Sequence, residues 1–553
     1  VRRRAAALLP RREDYAGLRR SWRGDLLAGL TVAIVALPLA LAFGVASGLG
    51  AEAGLVTAIV AGVVAGACGG SDVQVSGPTG AMTVVLVPVV AQLGPGGVAL
   101  VALLAGLVLI VAGATRLGRY AQVLPWPVVE GFTLGIALLI ALQQVPAALG
   151  VPKPAGENTA AVAVRAVADW AGHGAAAPAL VALVAAIMVA LPRLHRGLPA
   201  SLLAVGAATA VAELADLHVA RIGAIPASLP APSLPGASLA SLSTVASAVL
   251  AVAALAAIES LLSAKVADGM ADGRPHDPDR ELAGQGLANV AVSLFGGMPA
   301  TGAIARTAVN VRAGARTRTA AIAHGLVLAL FALALAPVLA RVPLAALAGV
   351  LLVTAVRMVE FGTVGRILHS TRGDAGLLLA TAGATIAFDL VVAVAVGVAL
   401  ASLLALRAMA QSTTFARDAL QAADVDADLE HALLSEHIVA YRLDGALFFG
   451  AAQRFLLELA EVSDVEVVIL RLGRLRVLDS TGALALADLV SHLQARGVTV
   501  LLASVPPQHR RLIERVGVLA ALAHENHLLP TIDEALAHAH RHLRRNRAAL
   551  AAA

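Results

Sequence analysis

Cysteine is almost missing from this chain. Cys68 is the only one in 553 residues, which excludes an intramolecular disulfide and leaves no cysteine pattern for a zinc site. It stands beside Gly66 and Gly69 and reads as a small helix-packing residue. Lysine is nearly as scarce, with Lys153 and Lys265 against 39 arginines, and aromatic residues make up 3%. The pI is about 10.1, yet no basic patch is interleaved with aromatics, so no nucleic-acid partner is expected. Charged residues are thin at 14%, against 59% hydrophobic, and the mean hydropathy is +0.83. Soluble domains run nearer about a quarter charged, so most of the chain is expected in lipid. No nucleophile–base arrangement or metal-ligand cluster appears, which argues against an enzyme and against a resident cofactor.

What the chain has instead is a series of apolar runs, each about long enough to cross a bilayer. Fourteen candidate spans fall at 25–48, 51–69, 75–92, 97–115, 124–146, 176–192 and 198–214, then at 240–264, 281–296, 300–314, 318–340, 343–359, 374–390 and 391–409. The count drops to twelve if the shortest merge with a neighbour. With the N-terminus inside, thirteen basic residues from Arg116 to Arg372 lie in inside loops, against Lys153, Arg165, Arg221 and Arg341 outside. That asymmetry supports fourteen spans and places both termini in the cytoplasm. The arginine-rich start has no apolar run followed by a small-residue cleavage site, so no removable signal peptide is expected. The domain reading is a basic cytoplasmic segment at 1–23, a transmembrane domain at 24–410, a linker at 411–435 and a small soluble domain at 436–545.

Two runs interrupt the apolar pattern in the same way. One is Ser76-Gly77-Pro78-Thr79-Gly80-Ala81; the other is Gly297-Met298-Pro299-Ala300-Thr301-Gly302-Ala303, with Arg306 one turn on. They fall in the third and tenth spans, equivalent places in two halves of seven. Seven is odd, so the halves run in opposite senses, as an inverted repeat, and paired broken spans mark a transporter's binding site. Helix N-termini carry partial positive charge and free N–H groups, so two meeting in mid-membrane would hold an anion. Thr79 and Thr301 offer hydroxyls there, Gly80 and Gly302 allow close approach to backbone amides, and Ala81, Ala303 and Arg306 complete the expected anion contacts. Ordinary helix capping and close helix packing are the plainer readings.

Most acids near spans border loops, namely Asp25, Asp72, Glu130, Asp374 and Asp389. Glu259 does not. Apolar sequence from Val245 to Ile258 precedes it, and Leu261 and Leu262 follow. A charge at that depth costs at least ~2.5–3.5 kcal/mol on insertion scales, so it is expected to line a cavity. Ser263, one turn on, shares its face, and the two form a candidate cation or proton site. The plainer reading pairs Glu259 with Arg306.

From about residue 437 the pattern turns to alternating strand and helix. Strands are expected at 437–443, 465–470 and 498–503, and helices at 450–462, 481–496 and 507–516. That spacing implies a small α/β domain with a partly parallel sheet. Asp479-Ser480-Thr481-Gly482 opens a helix and reads mainly as a capping turn, while His538, His540 and His542 read as solvated.

Taken together, these motifs resemble the SulP family of anion permeases, relatives of prestin, with a C-terminal STAS domain. The similarity spans roughly 20–540. It rests on the run from Asp25 through Thr31 into Ala36-Leu37-Pro38-Leu39-Ala40, on Gly69-Gly70-Ser71, on the two interrupted runs, on Glu281 through Asn289 into Phe295-Gly296-Gly297, on Arg306-Thr307, and on Asp479 through Gly482. The resemblance implies two inverted seven-helix repeats divided into core and gate domains. It also implies an anion between the third and tenth helices, and a homodimer moving as an elevator. In the related anti-sigma-factor antagonists the residue matching Thr481 is phosphorylated, which makes Thr481 a candidate regulatory site.

The first span is most similar to the sodium-dependent bicarbonate transporters of the family. Those have Asp and Thr where this chain has Glu259 and Ser263, and a hydroxyl residue where it has Ile304. Sodium, a hard cation, prefers oxygen, so that loss favours H+ over Na+ as coupling ion and leaves both open. The expected function is secondary transport of sulfate or bicarbonate across a bacterial cytoplasmic membrane. A nucleobase permease of the same fold, and an anion channel or sensor with STAS output, are the rivals. Arg306 replaces the second carboxylate that a nucleobase site would want.

Overall fold

The structure is a computed structural model. It describes residues 8, 10–15, 18–119, 125–156, 158–171, 174–195, 198–225, 228–236, 242–271, 274–388, 390–411, 414–417, 437–447 and 465–552. Packing divides the chain into two units, Val1–Ala399 and Leu400–Ala553.

The first unit is helical. Its elements are α1 (Leu18–Ser47), α2 (Ala51–Cys68), β1 (Ser76–Gly77), α3 (Gly80–Ala114), α4 (Trp126–Leu149), α5 (Thr159–Asp169), α6 (Ala176–Leu194) and α7 (Ala200–Leu214). After these come α8 (Leu242–Met270), α9 (Pro278–Leu294), β2 (Thr301–Gly302), α10 (Ile304–Arg312), α11 (Thr319–Leu339), α12 (Leu344–Met358), α13 (Phe361–Leu368) and α14 (Arg372–Ala387). The helix α15 (Leu390–Gln411) runs on past the unit boundary. Among the described residues, seven helices are long and apolar enough to cross a membrane, or eight if α12 and α13, bent by 40°, form one broken span.

The helices sort into two packed groups. α1, α2, α3, α8, α9, α10 and α11 pack mainly on one another, while α4, α6, α7, α12 and α14 form a second group. Small residues let the first group close up. Where α3 crosses α9, a Cβ at Gly106 would stand 2.6 Å from the Gly286 carbonyl oxygen.

Several expectations are refined. The third and fourth spans follow one another within α3 as two helical stretches that meet at a break at Gly94 (φ 67°, ψ −179°) ahead of Pro95, a conformation that only glycine adopts readily. The expected loop at 147–175 contains α5, whose start is capped by Asn158 accepting from the Ala161 amide at 3.0 Å. The tenth span contains only nine helical residues, because β2 occupies its start. Asp25 is a buried loop anchor: it accepts from the amides of Arg316 (2.8 Å) and Thr317 (3.1 Å). Asp72 pairs with Arg318 at 2.8 Å. Asp389 lies outside the described residues.

The second unit contains β3 (Thr414–Arg417), β4 (Ile438–Leu447), β5 (Val467–Arg471), β6 (Leu475–Leu478), α16 (Ser480–Ala495), β7 (Thr499–Ala503), α17 (Pro507–Val516), β8 (Leu528–Leu529) and α18 (Ile532–Ala552). The sheet order is β3-β4-β5-β7-β8, with β6 beside β4. β3–β4 is antiparallel, while β4–β5, β5–β7 and β7–β8 are parallel. Alternation along β5 sends Val468 and Leu470 into a core with Leu486 and Leu489, and Val467 and Ile469 toward Ala535, Ala539 and Leu543 of α18. The expected helix at 450–462 lies outside the described residues.

The reading of His538 and His542 as solvated is corrected. α18 docks on the sheet, and His538 and His542 pack against His527, with ring centroids 5.4 and 6.0 Å away. His527 is 5% exposed. Burial, then the neighbouring His538, His542 and His524, hold its pKa down at about 4. Below the free histidine value of about 6.5 an unfolded segment binds a proton that the folded one refuses. The docking of α18 should therefore be firm above about pH 6.5 and weaken as pH falls toward 4. Hydrogen exchange on the full-length protein should show α18 losing protection between pH 7.5 and 5, and His527→Asn should flatten that dependence.

Candidate functional site

At membrane depth, backbone N–H and C=O groups outside helices must find protein partners. The two interrupted runs find each other. β1 and β2 pair antiparallel, Ser76 opposite Gly302 and Gly77 opposite Thr301, and the Ala303 amide donates to the Val75 carbonyl at 2.9 Å. The pairing brings the start of α3, at Gly80, close to the start of α10, at Ile304. The first-turn amides of both helices have no intrahelical acceptor. The crossing leaves little room beside its glycines: a Cβ at Gly77 would stand 2.5 Å from Arg306 Nη1, and one at Gly302 would meet the Gln74 side chain and stand 3.0 Å from the Ser260 Cα.

Thr79 caps α3, weakly accepting from the Met82 amide at 3.4 Å, while its own hydroxyl donates to Glu259 Oε2 at 2.9 Å. Glu259 of α8 is thus tied to the start of α3. It is partly accessible, whereas Ser260, Ser263 and Thr301 beside it have no exposed surface. Thr301 Oγ1 lies 3.0 Å from Ser260 Oγ, and Ser260 also accepts from the Gly302 amide at 2.9 Å. Ser263 pairs with Thr307 at 3.2 Å. Arg306, 2% exposed, donates from Nη2 to the Pro78 carbonyl, and its Nη1 has no hydrogen-bond partner. No Arg306–Glu259 ion pair forms among the described residues.

The structure therefore brings Thr79, Gly80, Thr301, Gly302, Ala303, Arg306 and Glu259 to one crossing, with Ala81 in the first turn of α3. Both threonine hydroxyls and the amides of Gly302 and Ala303 are engaged by protein groups, so the first-turn amides of the two helices and Arg306 Nη1 are the donors left for a ligand. Thr481 is exposed on α16, whose start is capped by Asp479 accepting from the Gly482 amide at 2.7 Å.

Sequence reasoning missed the groups that fix the crossing. Asn289 clamps Ala300, donating to its carbonyl at 2.9 Å and accepting from its amide at 2.8 Å. Thr307 accepts from the Val75 amide at 3.0 Å. Glu281 accepts from the Gly70 amide (2.8 Å), Gln74 (3.0 Å) and Gln285 (3.0 Å), and Gln285 also donates to Ser76. Glu281, Gln285 and Asn289 recur every fourth residue on one face of α9, and that spacing was the available signal.

Residues 22–381 match the Sulfate permease family, and residues 432–535 match the STAS domain. YvdB of Bacillus subtilis, named provisionally as a sulfate transporter, is 32% identical over 92% of this chain and 96% of its own length. The bicarbonate transporter BicA of a Synechocystis species is 32% identical over 92% of each chain. The solved transmembrane domain of a cyanobacterial BicA superposes with a TM-score of 0.64 at 32% identity, covering 68% of this chain and 98% of that one. The structure of SLC26A9 matches the fold at a TM-score of 0.82 and 17% identity, covering 96% and 92%. These relatives are transporters rather than enzymes. The resemblance drawn from the motifs is borne out: this mostly helical, multi-pass membrane protein belongs to the sulfate permease family and carries a C-terminal STAS domain.

Proposed function

We propose that the chain is a secondary transporter of a small inorganic anion, sulfate or bicarbonate. The observation that carries this reading is the pairing of β1 with β2, which aims two helix starts and the buried Arg306 guanidinium at one place. The Gly80 and Ala81 amides, the first-turn amides of α10 and the unpaired Nη1 of Arg306 cradle the anion, while Thr79, Thr301, Gly302 and Ala303, whose own donors are spent on protein groups, shape the pocket around it. Relatives named for sulfate and for bicarbonate support this substrate class.

Glu259 is the coupling residue, with Ser263 behind it. The hydroxyl of Ser263 is engaged by Thr307, and Ile304 offers no oxygen, so the reading favours H+ over Na+. The two helix groups support an elevator in which the site-bearing group, as core, slides along the other, as gate. Fourteen spans in two inverted repeats, a homodimer, cytoplasmic termini in a bacterial inner membrane, and Thr481 as a regulatory phosphosite complete the proposal.

Thermal unfolding across an anion panel, with and without sodium, tests it. A ligand at about 100 times its Kd should stabilise by ~2.7 kcal/mol. Sulfate or bicarbonate is expected to raise Tm, without a sodium requirement. Stabilisation by nucleobases and by no anion would favour the rival permease.

A further inference from the structure

A cavity of about 1240 Å³ leads from Ala81, 1% exposed in the first turn of α3, to the exposed Lys153 after α4. Its wall combines α1, α3 and α8 of one helix group with α4, α12 and α14 of the other, and its rim includes His218 after α7. Three glutamines, Gln92, Gln143 and Gln144, interrupt an otherwise mainly apolar lining. Among the described residues no aspartate or glutamate lines it, and Lys153 is its one fixed charge. Gln143 is half-buried in this wall, and its amide carries NH2 donors that a ligand in the cavity can meet.

We propose that this cavity is the outer entrance for the anion, with Lys153 as its electrostatic attractor and Gln143 as a hydrogen-bonding station on the way to Ala81. The assignment of ligand class rests on the transport reading above, and the outer side rests on the basic-residue asymmetry of the loops. The physical argument is independent of either. An apolar-walled vestibule with one ammonium and, among the described residues, no carboxylate focuses a positive potential, which concentrates small anions and speeds their entry. Amide NH2 groups then replace part of the water shed on the way in. A cationic or neutral substrate would gain nothing from Lys153. The cavity also meets the site at the amides of α3, where the two threonine hydroxyls are already taken.

Thiol labelling of intact cells tests the proposal. In a Cys68→Ser background, Gln143→Cys and Gln92→Cys should each react with impermeant methanethiosulfonates added outside. The sulfonate-bearing reagent should outpace its trimethylammonium counterpart, after correction for reactivity with a free thiol, by about threefold or more at low salt. Adding Lys153→Ala, or high salt, should remove that preference. Two positions guard against one variant failing to fold, since both line the same cavity. Equal corrected rates for the two reagents, or labelling only in inverted vesicles, would overturn the proposal. Labelling does not depend on turnover. Charge-selective labelling in a protein that transports no anion would uphold the entrance and sink the transport reading instead.

Discussion

Glu259→Gln is expected to abolish gradient-driven accumulation while leaving the anion site assembled. A symporter moving one proton per anion, driven by one pH unit, sustains about tenfold accumulation; the variant should fall to about onefold, because the amide carries neither a proton nor a charge. Glutamine keeps an acceptor for the Thr79 hydroxyl, which donates to Glu259 at 2.9 Å, so folding should survive. The partial accessibility of Glu259, among fully buried Ser260, Ser263 and Thr301, suits a group that must meet an ion from solution. Uptake in proteoliposomes with an imposed pH gradient checks accumulation, and anion-induced thermal stabilisation checks that the site persists. Retained accumulation in the variant would remove Glu259 from the coupling step.

The crossing was legible because its breakers are visible. Proline and glycine inside apolar runs have few explanations in a membrane, and their recurrence in both halves points to one pocket. Glu259 stood out because charge at that depth is costly. The partners were not legible. Ser260, Thr307 and Asn289 act across the fold, and nothing local says that Asn289 must clamp Ala300. Nor does sequence tell that Ser263 turns to Thr307 or that both site threonines spend their hydroxyls on protein groups. In the second unit α17 matches its expected bounds, since Pro507 opens it and Gly517, at φ 88°, ends it. α18 was misread because its apolar face, Ala535, Ala539 and Leu543, consists mostly of alanine, too faint to announce that the helix docks on the sheet and covers His527.

Arg306 raises a choice that its neighbours do not settle by proximity alone. It binds the Pro78 carbonyl and leaves Nη1 unpaired beside Gly77, an arrangement suited to a visiting acceptor. Glu259 is the other charged side chain that the structure brings to the same crossing. Arg306→Gln is therefore expected to weaken anion binding by about tenfold or more, roughly 1.4 kcal/mol, the scale of a lost charge-assisted hydrogen bond. It should also destabilise the fold, because Glu259 then lacks its nearby cation. The double variant Glu259→Gln/Arg306→Gln separates the two roles. A neutral pair relieves the uncompensated carboxylate, so Tm should recover toward the parent value. If Arg306 attracts the anion, affinity should stay low in the double variant, since the guanidinium and its charge are still missing. Recovery of both Tm and affinity would reduce Arg306 to a counterion for Glu259. The helix starts of α3 and α10 would then hold the anion with backbone amides alone.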